Sequence, residues 1–101
     1  MTHWKQIPGF PEYEISDTGL VKSHHGGKEH LLTPVVHNPN GGSYVELYSG
    51  GRKAVRRVAR LVAEAFLPKP EGAGNRVYHI DGDGGNDHVE NLRWATMKWP
   101  R

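Results

Sequence analysis

Glycine and proline divide this 101-residue chain into short segments, and they constrain its fold more than any other feature. The sequence contains thirteen glycines and seven prolines. Glycine permits the positive φ angles of tight turns, and proline interrupts helices and sheet ladders. This high content of glycine and proline predicts many short strands and turns rather than a helical bundle. At this length the chain is expected to be one domain, in which nearly every apolar segment contributes to a single core.

The first half of the chain predicts a small antiparallel sheet over residues 10–57. Residues 13–16 and 20–23 flank an Asp-Thr-Gly turn, and together they predict a hairpin. Asn-Pro-Asn-Gly-Gly at 38–42 is the strongest loop signal in the chain. Residues 44–48 alternate between apolar and polar side chains, as a half-buried strand does, and Ser-Gly-Gly then turns the chain into the next strand.

The hydrophobic period changes after residue 57. Five apolar residues follow the i, i+3, i+4, i+7, i+8 spacing of one helical face: Val58, Leu61, Val62, Ala65 and Phe66. Pro68 ends this helix, because its ring blocks the helical hydrogen bond. Residues 71–75 then predict a flexible connector, while 77–80 and 92–95 predict two strands that bracket a long polar loop. Thr96 is a candidate cap for a short final helix.

The net charge of +2 is unevenly distributed along the chain. Residues 1–51 sum to −2, residues 52–80 to +5 and residues 81–101 to −1. The basic middle third indicates either a phosphate-binding surface or a solvated helix face. The basic side chains that would form such a phosphate-binding surface are Arg52, Lys53, Arg56, Arg57 and Arg60.

The composition also limits the kinds of site and the location of the protein. The chain has no cysteine, which excludes disulfides and thiolate metal sites. No apolar run approaches the roughly 18 residues that span a bilayer. The N-terminal segment, MTHWKQIPGF, lacks an apolar signal core, so we expect a cytoplasmic protein without a membrane partner.

His79 is the histidine most strongly indicated for chemistry, because it ends a predicted strand directly before the polar loop. A histidine held on a rigid strand can serve as a general base, since its pKa lies near neutral pH. The alternative is a structural histidine that ties its own hairpin together. The other histidines stand in polar, turn-like surroundings, where surface positions are the simpler interpretation. Among them, only His88 lies in the acidic loop and within reach of a metal there.

The loop itself, DGDGGNDHVEN, does not encode an EF-hand calcium site. Counted from Asp81, the fifth position is Gly85, the sixth is Asn86 and the twelfth is Leu92, so the required oxygen ligands and glycine are misplaced. Asn91 closes the loop, where its side chain can bridge backbone groups and hold the turn together. Metal ligation by Asn91 is the second interpretation.

Several separate motifs occur in an order that resembles a known family. WKQIPGF at 4–10 and YEISDTGLVKS at 13–23 resemble the opening of a NUMOD4-type module. RLVAEAFLP at 60–68 resembles its connecting helix, and HIDG at 79–82 with ENLRWAT at 90–96 resembles an HNH core. Over nearly its whole length the chain is similar to the small HNH homing-type endonucleases of phages and introns that carry an N-terminal NUMOD4 module.

The resemblance implies an α+β fold in three parts. A NUMOD4-like antiparallel β module is expected at 1–57, a connecting helix and linker at 58–75, and an HNH ββα-metal finger at 76–101. That finger is expected to have a shortened closing helix. The resemblance also implies a metal-dependent DNA endonuclease or nickase in a phage or bacterial host cell. In such an enzyme His79 is the general base, Asn91 braces the loop, and a divalent cation, Mg²⁺ or else Mn²⁺, stabilises charge on the phosphate.

The chain departs from the family pattern at three positions. Tyr78 stands before the first histidine, where relatives commonly have a metal-binding Asp or Asn. Pro100 stands nine residues after Asn91, where the last ligand of the motif is expected, and Ala59 replaces a frequent histidine. A phenol and a proline do not supply the oxygen ligands that Mg²⁺ needs. The candidate substitutes in the chain are Asp81, Asp83 and His88.

Three functions therefore stay open at the level of sequence. The first is the DNA endonuclease. The second is a DNA-binding module that keeps the fold and has lost the chemistry, as Tyr78 and Pro100 suggest. The third is a protein-interaction scaffold, in which an apolar surface contacts a second copy of the chain or a phage or host protein. Its candidate residues are Trp4, Trp94 and above all Trp99; the alternative is that all three tryptophans cover a small core. Double-stranded DNA is the partner implied by the first two.

Overall fold

Among the residues that the structure describes, three small antiparallel sheets pack around one α-helix. A computed structural model describes residues 2–38, 42–70 and 73–96. Its elements in chain order are β1 (Trp4–Ile7), β2 (Phe10–Ser16), β3 (Val21–Ser23), β4 (His30–Leu31), β5 (Val35–Asn38), β6 (Gly42–Ser49), β7 (Arg52–Arg57), α1 (Val58–Phe66), β8 (Ala73–His79) and β9 (Leu92–Thr96). Single 3₁₀ turns cover His25–Gly27 and Val89–Asn91. None of the helical segments within the described ranges has the length and apolar character that a bilayer crossing requires.

The first sheet has the strand order β1-β2-β3-β4. Ile15 pairs with Val21 across the predicted hairpin, and both side chains are fully buried, so the hairpin prediction is confirmed. The sheet begins earlier than residue 10, because β1 pairs with β2 from Trp4 opposite Ser16. The sequence pattern did not predict β1, because two of its four residues, Lys5 and Gln6, are polar and exposed.

The prediction of a single sheet over residues 10–57 is wrong, because β5, β6 and β7 form a second sheet. Pro34 immediately precedes β5, and a proline has no N–H with which to continue a ladder from β4. The two sheets instead meet through side chains: the Tyr13 hydroxyl accepts a hydrogen bond from the Tyr48 backbone N–H at 3.1 Å. Leu47 on β6 is fully buried in the core that they share.

Helix α1 has the amphipathic pattern that the sequence predicts. Val58, Leu61 and Val62 are buried in the core, and the helix ends before Pro68, where the Leu67 N–H bonds the Ala63 carbonyl at 2.9 Å. A nine-residue helix is marginal in isolation, so packing of this face provides most of its stability. The helix contacts β8, β9 and the turn at Val89–Asn91, and it thereby supports the third sheet.

The third sheet is the hairpin of β8 and β9, in which His79 lies opposite Leu92. Both strands were predicted, but residues 73–75 belong to β8 rather than to a flexible connector, because Ala73 pairs with Thr96. Strand pairing here overrides the weak strand propensity of the glycine in this segment. Thr96 is the last residue of β9, and the short final helix that it was expected to cap would begin beyond the described residues. The shortened closing helix falls in residues 97–101, which lie outside the described residues.

Candidate active site

His79, the last residue of β8, is buried against Asp87 in the following loop. His79 Nε2 and Asp87 Oδ1 are 2.7 Å apart, and the two side chains are 8% and 7% exposed. A short bond between buried groups of this kind fixes the orientation of an imidazole ring far better than a surface ion pair does. Burial raises the pKa of the Asp87 carboxyl above its ordinary value, whereas the His79 hydrogen bond and the Arg57 charge oppose the rise.

A second network closes the loop around Asn91. Asn91 Nδ2 donates to Asp81 Oδ1 and to the Asn86 carbonyl, each at 2.9 Å, and its Oδ1 accepts the Asp81 backbone N–H at 3.1 Å. Asp81 also accepts the Asp83 backbone N–H at 2.8 Å and Asn86 Nδ2 at 3.1 Å. The Asp83 N–H first, then the two asparagines, hold the pKa of Asp81 below its ordinary value. Asn91 thus joins the two ends of the loop by three hydrogen bonds.

The proposed substitute metal ligands do not form a cluster. Both oxygens of Asp81 accept the hydrogen bonds described above, and Asp83 Oδ1 accepts the Gly85 backbone N–H at 2.9 Å. Within residues 2–38, 42–70 and 73–96, no three His, Asp or Glu side chains are arranged to hold a metal ion. Asp81, Asp83 and His88 therefore do not form a three-ligand cluster, and ligation by any one of them stays a prediction. The described side chains do not fit a divalent cation held by this chain alone.

A concavity of about 320 Å³ opens beside His79. Its wall includes two arginines, Arg57 from the end of β7 and Arg76 from β8, together with Tyr78. Within the described ranges, Arg57 Nε is buried and has no hydrogen-bond partner. A buried donor without an acceptor is costly. The concavity therefore combines a fixed imidazole with two positive charges.

Three of the five basic residues predicted to bind DNA line one depression. Arg57 reaches the His79 concavity, and with Arg56 and Arg60 it also lines a second depression of about 430 Å³. Arg60 Nε lies 3.0 Å from Glu64, and Lys53 Nζ lies 3.7 Å from Glu46. Arg52 is exposed at the start of β7. Exposed ion pairs of this kind are worth little, so a phosphate can compete for these cations.

Two residues of the site were not among the predicted site residues. Asp87 was visible only as one member of an acidic run, and nothing in its spacing from His79 shows that the loop folds it back onto the ring. Arg76 precedes His79 by three residues, within the basic third of the chain. Its contribution depends on the approach of β7 to β8, which is a tertiary contact without a local sequence signal.

Comparison with known proteins gives one motif match and relatives that align over nearly the whole chain. The model of the NUMOD4 motif matches residues 3–48. The DNA endonuclease I-HmuI of Bacillus phage SP01 is 37% identical over 99 residues, covering 94% of this chain and 53% of that protein. The HNH endonuclease L247 of Acanthamoeba polyphaga mimivirus is 34% identical over 97 residues, covering 96% of this chain and 24% of that protein.

A solved structure agrees with these sequence relationships. The I-HmuI structure, described as DNA binding and cleavage by an HNH homing endonuclease, superposes with a TM-score of 0.80 at 37% identity. The match covers 95% of this chain and 53% of that chain, so our chain spans about half the length of I-HmuI. The NUMOD4 match, the sequence relatives and the shared fold together show that the chain belongs to the HNH homing-type endonuclease family with an N-terminal NUMOD4 module.

Proposed function

We propose that this chain is the DNA-cleaving part of an endonuclease or nickase, with His79 as the general base. The observation that carries the proposal is the concavity in which His79, fixed by Asp87, stands beside Arg57 and Arg76. A general base must be rigid and must reach the proton that it removes. The arginines supply the positive charge that phosphate recognition requires, and Arg offers planar, bidentate donors for it.

The reaction would be hydrolysis of one phosphodiester bond. Water loses a proton to the His79 ring as its oxygen forms a bond to phosphorus. The bond between phosphorus and the leaving deoxyribose oxygen then breaks, and solvent water supplies the proton for that oxygen. Arg57 and Arg76 would stabilise the negative charge that develops on the phosphoryl oxygens. Asn91 would act at a distance, by keeping the loop closed.

The HNH resemblance implies a divalent cation, and Mg²⁺ is the first candidate, with Mn²⁺ second. The described side chains do not form a site for it, and the roles given above are those of protein side chains and water. A second copy of the chain is one source of further ligands. If it supplies them, the cleavage rate will rise more steeply than in proportion to protein concentration.

Cleavage of supercoiled plasmid by the purified 101-residue chain tests the proposal. Reactions with Mg²⁺, with Mn²⁺ and with EDTA are compared, and each is run at two protein concentrations. His79→Ala should slow nicking by about 10²–10⁴-fold, which is the usual contribution of a general base. His30→Ala is the matched control, because His30 is an exposed histidine on β4. Equal nicking by the wild type and His79→Ala would refute the assignment of His79.

The arginine assignments have their own test. Arg57→Ala should weaken plasmid binding and lower the slope of log K against log salt by about one, as loss of one phosphate contact does. Arg93→Ala removes the same charge from β9, outside the concavity, and should leave the slope unchanged. Equal slopes for Arg57→Ala and the wild type would show that Arg57 does not contact phosphate.

A DNA-binding module without cleavage is the second candidate function. It is favoured by the lack of a metal-binding cluster among the described side chains. It predicts salt-sensitive binding of double-stranded DNA and no nicking under any metal condition. Nicking that EDTA abolishes and His79→Ala prevents would eliminate it.

A further inference from the structure

Asp87 is a buried carboxylate in an otherwise exposed acidic loop. Its side chain is 7% exposed, whereas Asp81, Asp83 and Glu90 are exposed. Carboxylates are almost never buried unless they are paired, because removal from water is costly. The hydrogen bond between His79 Nε2 and Asp87 Oδ1, at 2.7 Å, provides the pairing. The loop therefore folds this one acidic residue inward, onto the histidine.

We propose that Asp87 is a positioning residue that sets the tautomer and orientation of His79. An ionised carboxylate only accepts hydrogen bonds, so the neutral His79 ring must carry its proton on Nε2. The lone pair then resides on Nδ1. This proposal rests on the proposed function and makes it specific: Nδ1 is the atom that takes the proton from water, and Asp87 stabilises the imidazolium that results.

The N-terminal sheet holds Asp87 in place from the opposite side. The Val89 backbone N–H donates to the Asp17 carbonyl at 2.9 Å, which attaches the loop to the turn between β2 and β3. Gly19 in that turn approaches so closely that an added Cβ would lie 2.9 Å from the Asp87 Cβ. Asp87 is therefore confined between His79 and the turn, and the NUMOD4 segment contributes directly to the geometry of the site.

A purely structural role is the competing explanation. In that case the pair joins the loop to β8 and stabilises the fold, but the choice of ring nitrogen has no consequence for cleavage. Stability measurements do not separate the two roles, because both predict that loss of Asp87 destabilises the protein. The tautomer of His79 and its coupling to the cleavage rate do separate them.

The decisive measurement is ¹⁵N NMR of the histidine rings at alkaline pH, where imidazoles are neutral. The His79 signal is identified by its loss in His79→Ala. We expect wild-type His79 to carry its proton on Nε2, and Asp87→Ala to convert it to a mixture of tautomers. A wild-type Nδ1–H tautomer would overturn the proposal, as would an unchanged tautomer in Asp87→Ala. This readout requires no cleavage, so it decides the proposal even if the chain does not cut DNA.

A double-mutant cycle tests the link to catalysis. Asp87→Ala should slow nicking by about 10²-fold, a loss typical of a misplaced catalytic group, with little change in KM. In the His79→Ala background the same change should have no further effect on the rate. Independent, multiplying effects of the two changes would refute a role through His79.

Glu90→Ala removes an exposed carboxylate of the same loop and should leave the rate unchanged. Asp87→Asn, which preserves the shape of the side chain, replaces Asp87→Ala if thermal unfolding shows that the alanine variant is not folded.

Discussion

Replacement of Gly19 by alanine should disturb the contact between the N-terminal turn and the active-site loop. Gly19 has φ +92°, and its new Cβ would meet the Asp87 Cβ at 2.9 Å and the Asp87 carbonyl oxygen at 3.2 Å. Carbon atoms normally pack about 3.5–4.0 Å apart, so the two segments must separate. The positive φ costs about 1–2 kcal/mol for a residue with a Cβ. The overlap costs a further 1–3 kcal/mol or so, as overpacking usually does.

Gly9→Ala isolates the contact from the backbone effect. Gly9 has a similar φ of +83°, but an added Cβ there has no atom within 4 Å. Urea unfolding should therefore show Gly19→Ala to be less stable than Gly9→Ala by about 1–3 kcal/mol, which is the overlap alone. Gly19→Ala should also disturb the His79 ring signals in the NMR experiment, whereas Gly9→Ala should not. Equal destabilisation by the two variants, with unchanged His79 signals, would refute a tight contact between the turn and Asp87.

Three further predictions concern stability. Asn91→Ala removes the three hydrogen bonds that close the loop and should lower the free energy of unfolding in urea by about 1–3 kcal/mol; no change would show that Asn91 does not brace the loop. Leu47→Ala should cost about 2–5 kcal/mol because Leu47 is fully buried, while Leu31→Ala, at a position 61% exposed, should cost far less; similar losses would contradict the placement of the core. The pKa of Asp17 is lowered from its ordinary value of 3.8, first by the hydrogen bond from the His3 backbone N–H. The ionised Asp17 therefore stabilises the fold fully above pH 3.8, and this stabilisation is lost as the pH falls through the lowered pKa of the folded state. The stability advantage of the wild type over Asp17→Asn should therefore shrink in acid, and an advantage independent of pH would contradict the assignment.

The sequence predicted the elements that have a local signal, either apolar residues at helical spacing or a turn motif between two short strands. The five apolar positions from Val58 to Phe66 predicted α1, and the Asp-Thr-Gly turn predicted the β2–β3 hairpin. The division into two N-terminal sheets was missed, because it depends on where Pro34 stops a ladder and on which strands meet afterwards. The start of β8 at Ala73 was missed for a related reason: its pairing with Thr96 is formed across the whole hairpin.

The site was predictable only as far as its residues belong to motifs. His79 and Asn91 stand in the HIDG and ENLRWAT segments. Their positions at the two ends of the polar loop singled them out, and the resemblance suggested their roles. Asp87 and Arg76 reach the site through tertiary contacts, across the loop and between sheets. Such contacts leave no periodic pattern in the sequence, so these two residues could not be predicted from it. The substitute metal ligands stay a prediction. Asp81 is a carboxylate in a polar loop, and both of its oxygens accept hydrogen bonds that shape that loop.

The approach of Gly19 to Asp87 has a consequence for how such modular genes can be recombined. A chimera with its fusion junction between residues 57 and 76 would take position 19 from one parent protein and position 87 from the other. The N-terminal turn and the active-site loop would then come from different proteins. Any incoming N-terminal segment with a side chain at position 19 would collide with the Cβ of residue 87. Exchange of these modules is therefore expected to succeed only when the two positions are inherited together, as a matched pair.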